Sequence, residues 1–294
     1  MMSSENNEMM VRFWGVRGSI AVPGEETRHV GGNTSCVEVR CGDARFILDS
    51  GTGIRGLGAA LAKEGVQEAT LLLSHLHWDH IQGFPFYAPL YSSGHRLRVL
   101  GGGSPELGVR DALSLQMTPP TFPVLFDELP CLIESRTVRH GLTLGYEGVE
   151  IQCAKLNHPG GGVFAYRLNY AGKSVVYATD TEHYGCVDPT LRRLAMNADV
   201  LIYDSQYTPA EYCGDEGPPR TGWGHSTFEA GAALAHAAQV SRYVLFHHDP
   251  SRNDEGVFAI EERAQALFER SIAAREGLTL DVGRGGEYAP GAAA

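Results

Sequence analysis

A chain of 294 residues, 43% hydrophobic and 20% charged, has the composition of a globular protein and enough length to bury a large core. Its formal net charge of −11 opposes a broad grip on a nucleic-acid backbone, which takes a basic face, although bound dications would keep a small phosphate ester within reach. No stretch approaches the ~18 apolar residues of a membrane span, the start MMSSENNEMMVRFW is not a signal peptide, and Cys36, Cys41, Cys131, Cys153, Cys186 and Cys213 form no C-x-x-C pair, so a cytoplasmic protein with reduced thiols is expected.

Residues 1–9 and 289–294 are expected to be flexible tails. Between them, 10–288 hold no linker or repeat, which predicts a single domain. Short β-rich runs come first, at Val11–Trp14, Cys36–Arg40 and Phe46–Asp49. A helix follows over Ile54–Glu64, closed by Gly65 as a left-handed cap, then a strand over 69–74. Segment 84–130 contains GFPFYAPLYSSG and QMTPPTFPVLF. Its prolines and aromatics predict an inserted wall or arm rather than regular core, and an exposed apolar arm would suit a homodimer interface.

Further strands are predicted at 149–155, 163–169, 173–178, 199–204 and 242–247. Asp188 and Pro189 open a helix over 189–197 as N-cap and first residue. Ser226-Thr-Phe-Glu229 fits a capping box at the start of another, and a last amphipathic helix is predicted over 257–272. Strands cluster in both halves with helices after each cluster, which favours two sheets packed face to face with helices outside.

The chemistry gathers at strand ends. SHLHWDH places His75, His77, Asp79 and His80 directly after the strand at 69–74. His158 in LNHPGG, Asp180 in ATDTEH and one of the histidines of FHHD, His247 or His248, follow other strands in the same way. Strand ends at one edge of a sandwich can converge on a single site. Imidazole nitrogen with carboxylate oxygen and no thiolate suits Zn²⁺, with Mn²⁺ or Fe²⁺ fitting the same donors.

SHLHWDH resembles the H-x-H-x-D-H loop of the metallo-β-lactamase superfamily, and the spacing of the later His, Asp and His is similar to that family's. The resemblance runs from WGVRGS near residue 14 to FHHD at 246–249. It implies an α/β fold, the αββα four-layer sandwich of the metallo-β-lactamase type, with the metals at one edge of the two sheets. It also implies a dinuclear centre: one cation on His75, His77 and His158, a second on Asp79, His80 and His247, and Asp180 bridging them. Asp49 in LDSGTG looks like the family's structural aspartate, bracing the histidine loop.

Within that superfamily, GWGHST at 222–227 resembles the G-H-S-T segment of the ribonuclease Z and phosphodiesterase branch, where the His protonates the leaving oxygen. LIYDSQYT (201–208) resembles that branch's H-E-A-T segment, with Asp204 placed to orient His225; Tyr203 and Gln206 depart from the pattern. The implied enzyme is a phosphoric diester hydrolase acting on a small phosphodiester, a cyclic nucleotide above all. A metal-bridging hydroxide would attack phosphorus, with His225 as general acid and Asp79 and Asp204 as the other catalytic residues.

The alternatives are a ribonuclease Z-like tRNA 3′-end endonuclease, disfavoured by the acidic chain, and a carboxyl-ester, lactone or thioester hydrolase of the same fold, which needs no acid at His225. A metal-binding sensor would need no proton donor beside its ligands. Arg17 is expected to build turns, the Phe84–Tyr91 stretch could stack a base or simply pack, His183 is expected to lie near the site or exposed, and His95, His140 and His236 on the surface.

Overall fold

The computed structural model describes residues 7–103, 107–282 and 287–289. The first half runs β1 (Met9–Gly15), β2 (Cys36–Cys41), β3 (Ala44–Leu48), α1 (Ile54–Glu64), β4 (Glu68–Leu73), α2 (Trp78–Ile81), β5 (Arg96–Gly101), α3 (Val109–Gln116) and β6 (Leu132–Thr137). The second half runs β7 (Thr143–Tyr146), β8 (Val149–Leu156), β9 (Val163–Tyr170), β10 (Lys173–Ala178), α4 (Pro189–Ala195), β11 (Val200–Asp204), α5 (Pro209–Cys213), α6 (Phe228–Ala237), β12 (Arg242–Phe246), α7 (Asp254–Leu267) and β13 (Ser271–Ala273). The chain then returns to the first sheet through β14 (Thr279–Asp281) and β15 (Glu287–Ala289).

The sheets are ordered β15-β14-β1-β2-β3-β4-β5-β6 and β13-β12-β11-β10-β9-β8-β7. Strands β3 to β6 are mutually parallel, as are β10 to β13. Parallel strands covered on both faces read as near-continuous apolar runs, as β4 and β11 do, whereas the edge strand β6 is largely exposed. In β4, Leu72 joins Phe46, Leu48, Tyr166, Tyr177 and Phe246 in the core between the sheets. Its neighbours Leu71 and Leu73 face outward to Ile54, Leu57 and Leu61 of α1. The other outer layer packs Leu191 of α4, Phe228 and Ala232 of α6 and Ile260 of α7 on Leu201, Tyr203 and Leu245. The four-layer sandwich is therefore as expected, and parallel order brings the C-terminal ends of β4 and of β10 to β12 to one edge.

Helix α1 and its left-handed cap at Gly65 (φ 73°) agree with expectation, as does Asp188, which accepts from the amides of Thr190 and Leu191. Other expectations need correction. Segment 84–130 is no separate arm, because it contains β5, which lies inside the sheet between β4 and β6, and Phe84, Tyr87, Met117 and Phe126 are buried. Helix α6 is capped by Thr227, which accepts from Ala230, one residue later than the predicted Ser226. Helix α7 stops at Leu267, and Ser271–Ala273 becomes an edge strand. Met9, assigned to the tail, starts β1 and is buried. Ala289, also assigned to a tail, ends β15, and residues 1–6 and 290–294 lie outside the described residues. His95 is buried, with Tyr87 Oη 3.2 Å from its Nε2 and the Val66 carbonyl 3.1 Å from its Nδ1; His140 and His236 are exposed as expected. Among the described residues no helix is long and apolar enough to cross a membrane.

Candidate metal centre

The site grows from the strand ends. Asp49 follows β3 in the left-handed region (φ 61°), as do Asp180 after β10 (φ 50°) and His247 after β12 (φ 61°). Each such non-glycine residue costs roughly 1 kcal/mol or more, a strain that persists only where surrounding contacts over-determine it. Asp49 supplies such contacts. Its carboxylate takes the Ser74 amide (2.7 Å), the Ser74 hydroxyl (2.7 Å), Tyr177 Oη (2.7 Å) and His80 Nδ1 (2.7 Å). It braces the loop after β4 and touches no other candidate ligand.

The residues singled out from the sequence come together. His75, His77 and His158 form one group, and Asp79, His80, Asp180 and His247 a second, with each group's ligand atoms within 4.8 Å of one another. Asp180 faces both. Its Oδ1 lies 3.2 Å from His80 Nε2 and 3.1 Å from His247 Nε2, while Oδ2 lies 3.8 Å from His75 Nε2 and 3.9 Å from His158 Nε2. His247 is the histidine of FHHD that enters the site. His248 turns away, with Nε2 2.9 Å from the Ala274 carbonyl.

The Nδ1 atoms are tied from behind. Ser74 Oγ is 3.1 Å from that of His75, Asp49 holds His80, the Gly224 carbonyl is 2.9 Å from His158, and Gln206 Oε1 is 2.9 Å from His247. Such partners fix tautomer and ring direction and leave Nε2 for a ligand. His77 differs, presenting Nδ1, 3.1 Å from His158 Nε2. Two glycines make room: a Cβ on Gly18 would fall 2.4 Å from His247 Cε1, and one on Gly224 (φ 89°) 2.4 Å from His158 Nδ1.

This donor set fits a pair of cations. The Nε2 atoms of His75 and His80 are buried without a hydrogen-bond partner, although His80 Nε2 lies 3.2 Å from both Asp79 and Asp180. Converging buried acceptors and orphaned imidazole nitrogens are costly unless something positive lies among them. Burial, with His80 and other imidazoles nearby, holds His75 well below the ordinary histidine range, and burial lowers His77 and His158 too. Burial works the other way on Asp180, but His247 and His80 outweigh it and keep the carboxylate ionised. Neutral imidazoles and ionised carboxylates are the protonation states that bind metal, and His75, His77, His158 and Asp180 are held in them. At His80 burial is outweighed by Asp180, Asp79 and Asp49, which raise it well above the ordinary histidine range, a positive charge that a bound cation would replace.

A third group lies at the same edge. His225 Nδ1 is 2.9 Å from Asp204 Oδ2, and its ring stacks on that of His247 with centroids 5.0 Å apart. Asp204 also accepts from the amides of Asp180, Gln206 and Ser226 (3.0–3.1 Å).

A sequence model of the beta-lactamase superfamily domain matches residues 44–248, which takes in every candidate ligand. The chain belongs to the metallo-β-lactamase superfamily. It is a metal-dependent hydrolase. A ribonuclease Z of Mycobacterium avium (strain 104) is 26% identical over 272 residues, covering 84% of this chain and 89% of the relative. Among solved structures, the metallo-beta-lactamase fold protein YhfI of Bacillus subtilis superposes with a TM-score of 0.71 at 19% identity, over 94% of this chain and all of that one. The short form of human tRNase Z gives a TM-score of 0.64 at 20% identity, over 93% and 99%. The structural likeness is one of fold.

The superfamily comparison leaves several supporting residues unread. Gln206, a departure from the family segment, is the partner of His247 Nδ1. Tyr203, the other departure, places Oη 2.8 Å from Ser226 Oγ, which lies 3.0 Å from His183 Nδ1. Glu182 was missed altogether. Buried beside the site, its carboxylate accepts from the amides of Gly222 (2.7 Å) and Gly224 (3.0 Å) and from Tyr212 Oη (2.7 Å). It thereby clamps the loop that ends in His225. Its only sequence signal is its place two residues after Asp180. Arg17 is buried and bonds the carbonyls of Gly31, Asp249 and Arg252, a structural role as expected.

Proposed function

We propose that this hydrolase is a dinuclear-metal phosphodiesterase acting on a small phosphodiester, with a cyclic nucleotide as the substrate class. The observation that carries the reading is the Asp204–His225 pair at the edge of the metal centre. An alkoxide leaving phosphorus needs a proton, which a positioned imidazole supplies, whereas a thiolate leaving a thioester needs none.

In this reading His75, His77 and His158 hold one cation, Asp79, His80 and His247 the other, and Asp180 spans both. Zn²⁺ is the proposed metal, on a nitrogen-and-carboxylate set without thiolate; Mn²⁺ and Fe²⁺ are its competitors. When bound, two such cations neutralise charge on phosphoryl oxygens and supply an activated water near neutral pH. The protein does the rest. Asp204 occupies Nδ1 of His225, so Nε2 is the nitrogen that hands a proton to the departing ribose oxygen. Asp79 is steadied by the Ser19 amide at 2.8 Å, and burial of His75, Asp79, His80, Asp180 and His247 excludes bulk water from the floor, while His77 stays exposed at the rim.

A ribonuclease Z-like endonuclease is the second reading, favoured by the names of the relatives. Against it stand the net charge of −11 and the course of segment 84–130, which lays β5 between β4 and β6 in the sheet rather than building a separate arm. The zinc-loaded protein should hydrolyse cyclic nucleotides and leave a 3′-extended tRNA precursor uncut. Cleavage of the precursor, with binding that weakens steeply as salt rises, would replace the first reading by the second.

A further inference from the structure

Trp78 is 77% exposed, the most exposed of the large apolar side chains among the described residues, and it stands between His77 and Asp79. Trp223 is 56% exposed and stands two residues before His225. An exposed indole gains little of the burial that makes tryptophan useful to a fold. The third tryptophan, Trp14, is half-buried, donates to Glu38 (3.1 Å) and lies under the Arg12 guanidinium.

The sequence neighbours of the two exposed tryptophans hold one imidazole. His158 bonds the Gly224 carbonyl, next to Trp223, through Nδ1 (2.9 Å), and its Nε2 is 3.1 Å from Nδ1 of His77, next to Trp78. Both tryptophans therefore stand beside the residues that hold His158, at the edge of the centre, and both are exposed. The backbone beneath each is braced. Glu182 takes the amides on either side of Trp223, at Gly222 and Gly224. The Trp223 amide donates to the Arg220 carbonyl (3.1 Å), and the Arg220 guanidinium sits 5.9 Å from the indole while paired with Asp249 at 2.9 Å. Trp78 lies in the first turn of α2, where its carbonyl accepts from Gln82 (2.7 Å). A charged floor beneath two exposed indoles on fixed backbone suits a ligand whose phosphate is attached to a flat apolar group.

We propose that Trp78 and Trp223 form a base-stacking subsite, which selects phosphodiesters bearing a nucleobase over those bearing only sugar or alkyl groups. The proposal deepens the phosphodiesterase reading and rests on it, since it takes the phosphate to lie at the metal centre. Stacking on aromatic rings is tolerant of base identity, so purine and pyrimidine nucleotides should both benefit.

The test compares two probes on the metal-loaded protein: adenosine 5′-monophosphate and ribose 5-phosphate, which share a phosphate and sugar and differ by the base. Affinities are read by calorimetry and base contact by quenching of tryptophan emission, in wild type, Trp78→Ala and Trp223→Ala. The nucleotide should bind about tenfold tighter than the sugar phosphate and quench emission. Each substitution should remove most of that advantage and leave ribose 5-phosphate affinity unchanged. Equal affinities in the wild type, or variants that weaken both probes alike, would overturn the subsite. Absence of diester turnover with the base preference intact would strike the phosphodiesterase reading instead, because the ratio reports binding of the base alone.

Discussion

Asp204 Oδ2 accepts a hydrogen bond from His225 Nδ1 over 2.9 Å, with both residues buried. Burial opposes the charge on His225, but Asp204, with Asp180 and Asp79 farther off, outweighs it and raises the imidazole to about 9. The imidazolium is thus present at neutral pH and lost as pH rises. The proton donor therefore stays competent on the alkaline side of neutrality, and activity falls as His225 deprotonates. Asp204→Asn removes the largest stabilising charge, so that alkaline fall should move to lower pH. A pH profile of kcat for the two proteins on one alkyl phosphodiester checks this; an unmoved profile would remove Asp204 from the role.

Asp180 turns one oxygen toward His80 and His247 and the other toward His75 and His158. Wild type should carry about two metal ions per chain by mass spectrometry of the metals, and Asp180→Ala should retain one or fewer. Chelation should lower the melting temperature and added Zn²⁺ should restore it, since a ligand bound only by the native state stabilises it. Unchanged metal content in Asp180→Ala would exclude the bridging role.

Glu182 acts through its neighbours. Glu182→Gln replaces one acceptor oxygen by an NH₂ group facing peptide N–H donors, so the loop over 222–225 should loosen while the ligands stay in place. A kcat lower by about 10–100-fold with KM and metal content near wild type is expected. Loss of metal in parallel with activity would point to a general structural role.

Most of the site was legible because its chemistry is crowded into short motifs. His75, His77, Asp79 and His80 lie within six positions, and the later ligands each follow an apolar strand. The supporting residues were not legible, because Glu182, Gln206 and Ser74 act through contacts with loops distant in sequence, and nothing in their local pattern announces a partner. The fold was read well where runs were apolar and poorly where they were mixed. Strand β5 reads Arg-Leu-Arg-Val-Leu-Gly between glycine-rich turns, and its arginines conceal a strand whose Leu97, Val99 and Leu100 are buried. Arg98 is drawn outward to Glu68 and Glu134. Edge strands β6 and β13 have too little apolar surface to give a period.

Missing β5 also misplaced His95. Buried against Tyr87 and the Val66 carbonyl, it is held by desolvation below the ordinary histidine range. The unfolded chain, titrating near 6.5, then takes up the proton first. The stability at stake is fully present above that pH and is lost as pH falls toward the folded value. Wild type should lose more of its urea midpoint between pH 7 and pH 5 than His95→Gln does. Equal losses would show that His95 stays neutral at no cost to the fold.

The central claim is that His225 supplies a proton to a leaving alkoxide in phosphodiester hydrolysis. Its most direct test is turnover of an alkyl phosphodiester beside a carboxyl ester by the metal-loaded wild type and His225→Ala. Preferential diester hydrolysis that falls about 10²–10⁴-fold in the variant is expected, with a smaller fall for an activated p-nitrophenolate leaving group. Ester hydrolysis without diesterase activity, or a variant that cleaves the alkyl diester at the wild-type rate, would contradict it.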